Sequence, residues 1–294
     1  MLALRLLLAT GILLGLNAPL GKLARQGGIS AAGWAFAIAA GGALVLLLVL
    51  LLRRQRLRFD RRHARYYLVA ALFSYVIPNL VIYAAIPHLG AGMTSLYFTL
   101  SPILTLVFSM LIGVKRPGLV GIAGIALGCV GALVVVFSKG QVDRPADISW
   151  ALGALVIPVS LAAGNVYRTI DWPEDAAPLL LAMGSNAVAA LFLILAALLL
   201  DGSLPFAALA AEPLLVLAQV AIAALMFALF FRLQVAGGPV YLSQIGYVAA
   251  ATSLIIGTFL LGENYGITTW GGALVIVAGV VATTLDRGVK TQPR

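Results

Sequence analysis

"YYLVAALFSYVIPNLVIYAAIPHLGAGMTSLYFTLSPILTLVFSMLIGV" runs from residue 66 to residue 114 without one Asp, Glu, Lys or Arg. A water-exposed fold has no place to hide such a run, because the outer face of every helix or strand needs polar side chains. Its length suits two membrane crossings of roughly 20 residues each. Two further stretches repeat the pattern, between Arg116 and Lys139 and between Arg232 and Glu263.

Composition agrees with these runs. The chain is 62% hydrophobic and 10% charged, with a mean hydropathy of +1.08. Soluble domains are about 45–50% apolar and about 25% charged. The sequence therefore predicts an all-α polytopic membrane protein. Its single cysteine, Cys129, excludes an intrachain disulfide and a cysteine-cluster metal site. Two histidines, His63 and His88, are too few for a histidine-rich metal site. No metal and no cofactor is expected. The opening "MLALRLLLATGILLG" has the look of a signal peptide, but its apolar run continues past Leu20 without an A-x-A site, so it reads as a retained first helix.

Cutting the apolar runs at charges, prolines and glycines gives ten spans: 4–24, 30–52, 66–86, 91–113, 118–138, 149–168, 177–200, 213–233, 240–261 and 265–285. The stretch "RRQRLRFDRRHAR", residues 53 to 65, then falls between spans 2 and 3 with seven arginines. With the N-terminus in the cytoplasm, the cytoplasmic segments hold these seven, Arg5, Lys115, Arg116, Arg168, Arg232, Arg287, Lys290 and Arg294, which makes 15. The other side holds four: Lys22, Arg25, Lys139 and Arg144. The positive-inside rule turns this bias into an orientation with both termini cytoplasmic. Attraction to anionic lipid headgroups is a second use of the same charge. The basic pI of about 10.1 is thus a topology signal, and no nucleic-acid partner is expected.

Sliding the chain by 148 positions aligns Asn17 with Asn165, Gly90 with Gly238, Ser95 with Ser243, Gly124 with Gly272, and Gly131 with Gly279. The spans match in the same order, 1 with 6 through 5 with 10. Five spans per repeat is an odd number, so the halves run oppositely through the membrane, with a site between them near the midplane. The expected units are a five-helix repeat over 1–140, an inverted five-helix repeat over 149–286, and a cytoplasmic tail, 287–294.

Polar residues and prolines pick out the same spans. In span 3, Tyr75, Asn79 and Tyr83 stand at i, i+4 and i+8 on one face. Span 4 carries Thr94, Tyr97, Ser101 and Thr105; span 6 carries Ser160, Asn165 and Tyr167; span 9 carries Ser243, Gln244 and Tyr247. Polar groups in hydrocarbon are costly, so such stripes face a bundle interior or water, unless each only bonds helix to helix. Interior prolines Pro19, Pro78, Pro102 and Pro158 mark helix breaks in spans 1, 3, 4 and 6, freeing the carbonyls of Gly15, Ser74, Phe98 and Ala154. These features predict a central cavity that is aromatic, polar and nearly uncharged. Span 5, with Gly121, Gly124, Gly128 and Gly131, instead reads as a packing ridge.

All ten acidic residues lie in loops or at helix ends. Ion-coupled carriers commonly use an intramembrane carboxylate, so uncoupled transport is expected, with His88 the one titratable candidate near neutral pH. Arg168 and Arg232, at cytoplasmic span ends, read as snorkelling anchors.

Ten spans in two inverted repeats, "GLNAPLGK" in span 1, "GAGMTSL" entering span 4 and "LLGE" closing span 9 resemble the drug/metabolite transporter superfamily, EamA type. Within it the chain resembles the bacterial aromatic amino acid exporters of the YddG kind. The resemblance implies an inner-membrane exporter whose cavity is walled by spans 1, 3, 4, 6, 8 and 9. By position, that lining includes Asn17, Asn79, Tyr83, Tyr97, Tyr167 and Tyr247. Glu263 has Lys115 as its counterpart in the first repeat, which argues against a role shared by the two halves.

The expected function is export of amino acids, aromatic ones included, by alternating access through a cavity that includes Asn17, Tyr75, Asn79, Tyr83, Tyr97, Ser101, Tyr167, Gln244 and Tyr247. Rings would stack on the tyrosines while carbonyls freed by Pro19 and Pro102 take the ammonium. A second reading is export of another metabolite or drug by the same fold. A membrane enzyme is a third, but no H-E-x-x-H, no G-x-S-x-G and no pair of intramembrane aspartates occurs.

Overall fold

A computed structural model describes residues 2–55, 60–113, 118–137, 148–174 and 176–285. Several of the charges that orient the chain lie outside these residues: Arg56 and Arg58, Lys115 and Arg116, Lys139 and Arg144, and the tail from 286 on, with Arg287, Lys290 and Arg294.

The protein is an all-helical membrane protein. Among the described residues seven helices are long and apolar enough to cross a bilayer, and three shorter apolar helices stand beside them. The spans are, in order, Leu2–Gln26, Ala31–Leu52, Arg61–Leu89, Ala91–Leu111, Leu119–Phe137, Ile148–Ile170, Pro178–Asp201, 213–237, 239–260 and Ile267–Leu285. Local chemistry sets their starts. Ser30 and Asp60 cap spans 2 and 3, their side chains accepting the Gly33 and His63 amides at 3.0 and 2.9 Å. Proline opens spans 7 and 8 at Pro178 and Pro213, where its missing N–H costs nothing.

The packing has an internal two-fold pattern. Span 1 packs on spans 8 and 9, and its counterpart span 6 packs on spans 3 and 4. Span 2 meets span 8 as span 7 meets span 3. Pairs 2 with 7, 4 with 9, and 5 with 10 map onto themselves, so they lie on the axis that relates the halves. Five crossings per half would run the halves oppositely through a membrane.

Two sets of glycines account for this symmetry. Gly90 and Gly238 both adopt left-handed backbone, φ 84° and 70°, with extended ψ. That conformation is essentially closed to residues with a Cβ, and it lets spans 3 and 8 double back into spans 4 and 9 almost without a loop. Spans 5 and 10 cross backbone to backbone. A Cβ on Gly279 would stand 2.5 Å from the Gly128 nitrogen and 2.6 Å from the Gly124 oxygen, and one on Gly131 would stand 2.7 Å from the Gly272 oxygen.

The prolines act differently from the simple expectation. Ahead of Pro78 the helix widens into a π turn, Leu72–Val76. In that i→i+5 register the carbonyl left without a partner is that of Phe73, not Ser74, and the Ser160 hydroxyl donates to it at 2.8 Å. Ahead of Pro102 the helix tightens to 3-10 over Tyr97–Leu100, so the Phe98 carbonyl accepts the Ser101 amide. The Ala154 carbonyl likewise takes the Ile157 amide at 3.0 Å, where span 6 breaks before Pro158. Span 1 runs helical through Pro19.

Candidate functional site

A cavity lies between the halves, walled by spans 1, 3, 4, 6, 8 and 9, with Ile38 of span 2 at its edge. About 80 Å³ is open to the centres of water molecules, room for several waters or part of a small solute. Asn17, Tyr75, Asn79, Tyr83 and Ser101 line it. Its walls are aromatic. Tyr75 meets Phe227 edge to face at 5.3 Å, and Phe98 and Phe230 stand on the same surface.

The two asparagines aligned by the repeat, Asn17 and Asn165, both face the cavity. Each is held from outside it. Gln219 donates to the Asn17 Oδ1 at 2.7 Å, and the Asn17 amide reaches the Met226 sulfur at 3.5 Å. The Asn165 amide donates to Thr105 at 3.3 Å.

Arg168 corrects the expectation of an uncharged cavity. It is not a snorkelling anchor: only 1% of it is exposed, and it lines the cavity wall. Gly164, where a Cβ would run into the Ser74 side chain, and the π turn at Ser74 let span 6 close against span 3 here. One guanidinium nitrogen donates to the Ser74 hydroxyl, and another to the Asn165 Oδ1 at 2.6 Å. The Phe230 ring lies 4.8 Å beneath the guanidinium carbon. Arg232, by contrast, is exposed at the end of span 8, as an anchor should be.

Four expected lining residues stand elsewhere. Tyr97 is turned to span 6, where its hydroxyl donates to the Ala151 carbonyl at 2.8 Å. Tyr167 lies at the cytoplasmic end and donates to Asp171. Gln244 and Tyr247 share the face of span 9 turned away from the cavity, and the Tyr247 hydroxyl lies over Gly128 of span 5. Helical periodicity leaves side chains three or four apart on one face, but nothing in the spacing says which face meets the cavity. Of the span 4 stripe, Thr94 donates to the Gly90 carbonyl four residues back, and Thr105 accepts from Asn165 of span 6, a bond from helix to helix. His88 is exposed and stacks on Trp150 at 4.3 Å near the outer surface.

Ion pairs bridge the halves at both ends. At the outer end the Lys22 ammonium meets Glu263 at 2.8 Å. The same carboxylate accepts the Ala91 amide at 2.8 Å, the Gly92 amide at 3.0 Å and the Tyr265 hydroxyl. "GLNAPLGK", "GAGMTSL" and "LLGE" thus converge on one cluster, with the carboxylate seated on the N-terminus of span 4. Burial pushes the Glu263 carboxyl up, but Lys22, Tyr265 and the two amides outweigh it and hold it below the ordinary range. At the cytoplasmic end Arg65 pairs with Asp171, whose carboxyl burial also raises and whose bonds from Tyr167 and Arg65 hold low. Spacing in sequence offers no sign of these pairings, since Lys22 and Glu263 are 241 residues apart.

Residues 1–137, the first five spans, match the model of the EamA-like transporter family. Over this stretch, somewhat less than half of the chain, the sequence is similar to that family of transporters. No curated protein matches the chain. Among solved structures, one crystal structure superposes over 95% of this chain and 98% of its own length, with a TM-score of 0.69 and 18% sequence identity. At that identity the likeness concerns the fold.

Proposed function

We propose that the protein exports amino acids, aromatic ones included, across a bacterial inner membrane by alternating access without ion coupling. The observation that carries this reading is the cavity on the repeat axis. It is walled by Tyr75, Tyr83, Phe98, Phe227 and Phe230, and asparagines from both halves face it. Aromatic walls favour a ring by area and by edge-to-face contact, about 0.5–1.5 kcal/mol per ring pair beyond burial. Alternating access would part the Lys22–Glu263 bridge when the outer end opens and the Arg65–Asp171 bridge when the inner end opens. Among the described residues no carboxylate lines the cavity, which supports transport without ion coupling.

Purified protein in liposomes loaded with phenylalanine tests the reading. Labelled phenylalanine should exchange into the loaded vesicles and equilibrate without an imposed gradient. Uphill accumulation driven by a proton or sodium gradient would refute the uncoupled mechanism. Exchange of unrelated metabolites but no amino acid would favour the second reading, a metabolite or drug exporter of the same fold.

A further inference from the structure

We infer that Arg168 is the substrate-binding cation of the cavity, and that the cavity selects for an organic carboxylate while needing no ammonium. The inference rests on reading the cavity as the transport site and specifies what that site takes. Arg168 carries a full charge with 1% of its surface exposed. Its neighbours there are dipoles and a ring: Ser74, Asn165 and Phe230. These solvate a guanidinium without neutralising it. The carboxylate three residues on, Asp171, is already held by Arg65 and Tyr167, and no described Asp or Glu pairs with Arg168. Arg168 stands in the last turn of span 6, but a helix C-terminus supplies only about half an elementary negative charge. The cavity wall therefore keeps a net positive charge that is costly when left unpaired.

The hydrogen-bonding capacity points the same way. A guanidinium has five N–H donors, and two of those on Arg168 are used by Ser74 and Asn165. Its Nε has no acceptor, and the buried Tyr75 hydroxyl on the same wall has no partner either. A carboxylate fits these unspent donors and cancels the charge, with the planar fork suited to two parallel bonds. For an ammonium there is no matching counter-charge, since no Asp or Glu lines the cavity among the described residues. The Phe98 carbonyl that Pro102 should have freed accepts the Ser101 amide, and Asn17 Oδ1 accepts from Gln219. An amino acid is accommodated through its carboxylate and ring, and the same compound without its amino group should be taken at least as well.

The test compares 3-phenylpropionate, which has the carboxylate alone, with phenethylamine, which has the ammonium alone. Each is used as a competitor of labelled phenylalanine exchange in proteoliposomes, and as a ligand that raises the melting temperature of the purified protein. We expect 3-phenylpropionate to compete and to stabilise, and phenethylamine to do neither. Arg168→Gln should weaken 3-phenylpropionate about 10- to 100-fold, the range for a lost hydrogen bond to a charged group, and Arg168→Lys should recover part of it. If Arg168→Gln does not fold, the competitor comparison on the unaltered protein decides. Equal competition by phenethylamine, no binding of 3-phenylpropionate, or an unchanged affinity in Arg168→Gln overturns the inference while leaving phenylalanine transport standing. Binding of 3-phenylpropionate through Arg168 without any phenylalanine transport supports the inference and removes the amino acid reading.

Discussion

Glu263 is the residue whose loss should cost the fold most for one side-chain change. Its side chain is fully buried and the Lys22 side chain 20% exposed, so water screens their pairing little. Glu263→Ala leaves the Lys22 ammonium without its partner and the Ala91 and Gly92 amides without an acceptor. Glu263→Gln also loses the ion pair, and its amide N–H₂ competes for the place of an oxygen facing those donors. Removing one partner of a buried pair costs about 3–5 kcal/mol. At about 2 °C per kcal/mol for a chain of this size, the melting temperature should fall by about 6–10 °C. Intrinsic tryptophan fluorescence during heating of the detergent-solubilised protein reads this directly. The control is Glu174→Gln at the exposed Arg62–Glu174 pair, 45% and 86% exposed, which should change little. The acid side offers a second readout. Because folding lowers the Glu263 carboxyl, the unfolded chain takes up its proton first as the pH drops. Its contribution is full above the ordinary value of 4.5 and is lost as the pH falls through the lower folded value. A shift below about 2 °C in Glu263→Ala, or acid sensitivity unchanged in Glu263→Gln, would refute the cluster as a structural clamp.

Three further outcomes are expected. Gly131→Leu and Gly279→Leu should cut the yield of folded protein in size-exclusion chromatography, because at both a Cβ would already run into the backbone of the facing span. Asn79→Leu should impair phenylalanine exchange with melting near that of the unaltered protein, since Asn79 is only partly buried on the cavity wall; normal exchange would make the span 3 stripe mere packing. Tyr83 is the poorer target, because its ring packs on Gly21 and truncation to Ala would open a void. A reporter fused after Arg294 should read cytoplasmic and one inserted in the 139–148 loop periplasmic, and swapped signals would sink the inverted topology.

Hydropathy and punctuation decide the helical, membrane-spanning architecture. In a bilayer each helix satisfies its own backbone bonds, so charge-free runs such as 66–114 become spans largely on their own account. The repeat was legible because its landmarks are local necessities: Gly90 and Gly238 hold backbone that only glycine adopts, and Gly131 and Gly279 stand where two backbones touch. The site was legible only in part. Spacing grouped Tyr75, Asn79 and Tyr83 on one face, and that face does line the cavity. The same argument put Tyr97, Tyr167, Gln244 and Tyr247 in it, and they turn elsewhere, because periodicity fixes which residues share a face but not what the face meets. The charges depended wholly on tertiary structure. Arg168 looked like an anchor at a span end until Ser74, 94 residues earlier, was found holding it inside the wall. Glu263 looked like a loop residue until Lys22 and the start of span 4 closed around it. Whether a charge near a helix end reaches for water or is drawn inward depends on the dipoles and counter-charges around it, and those come from other spans.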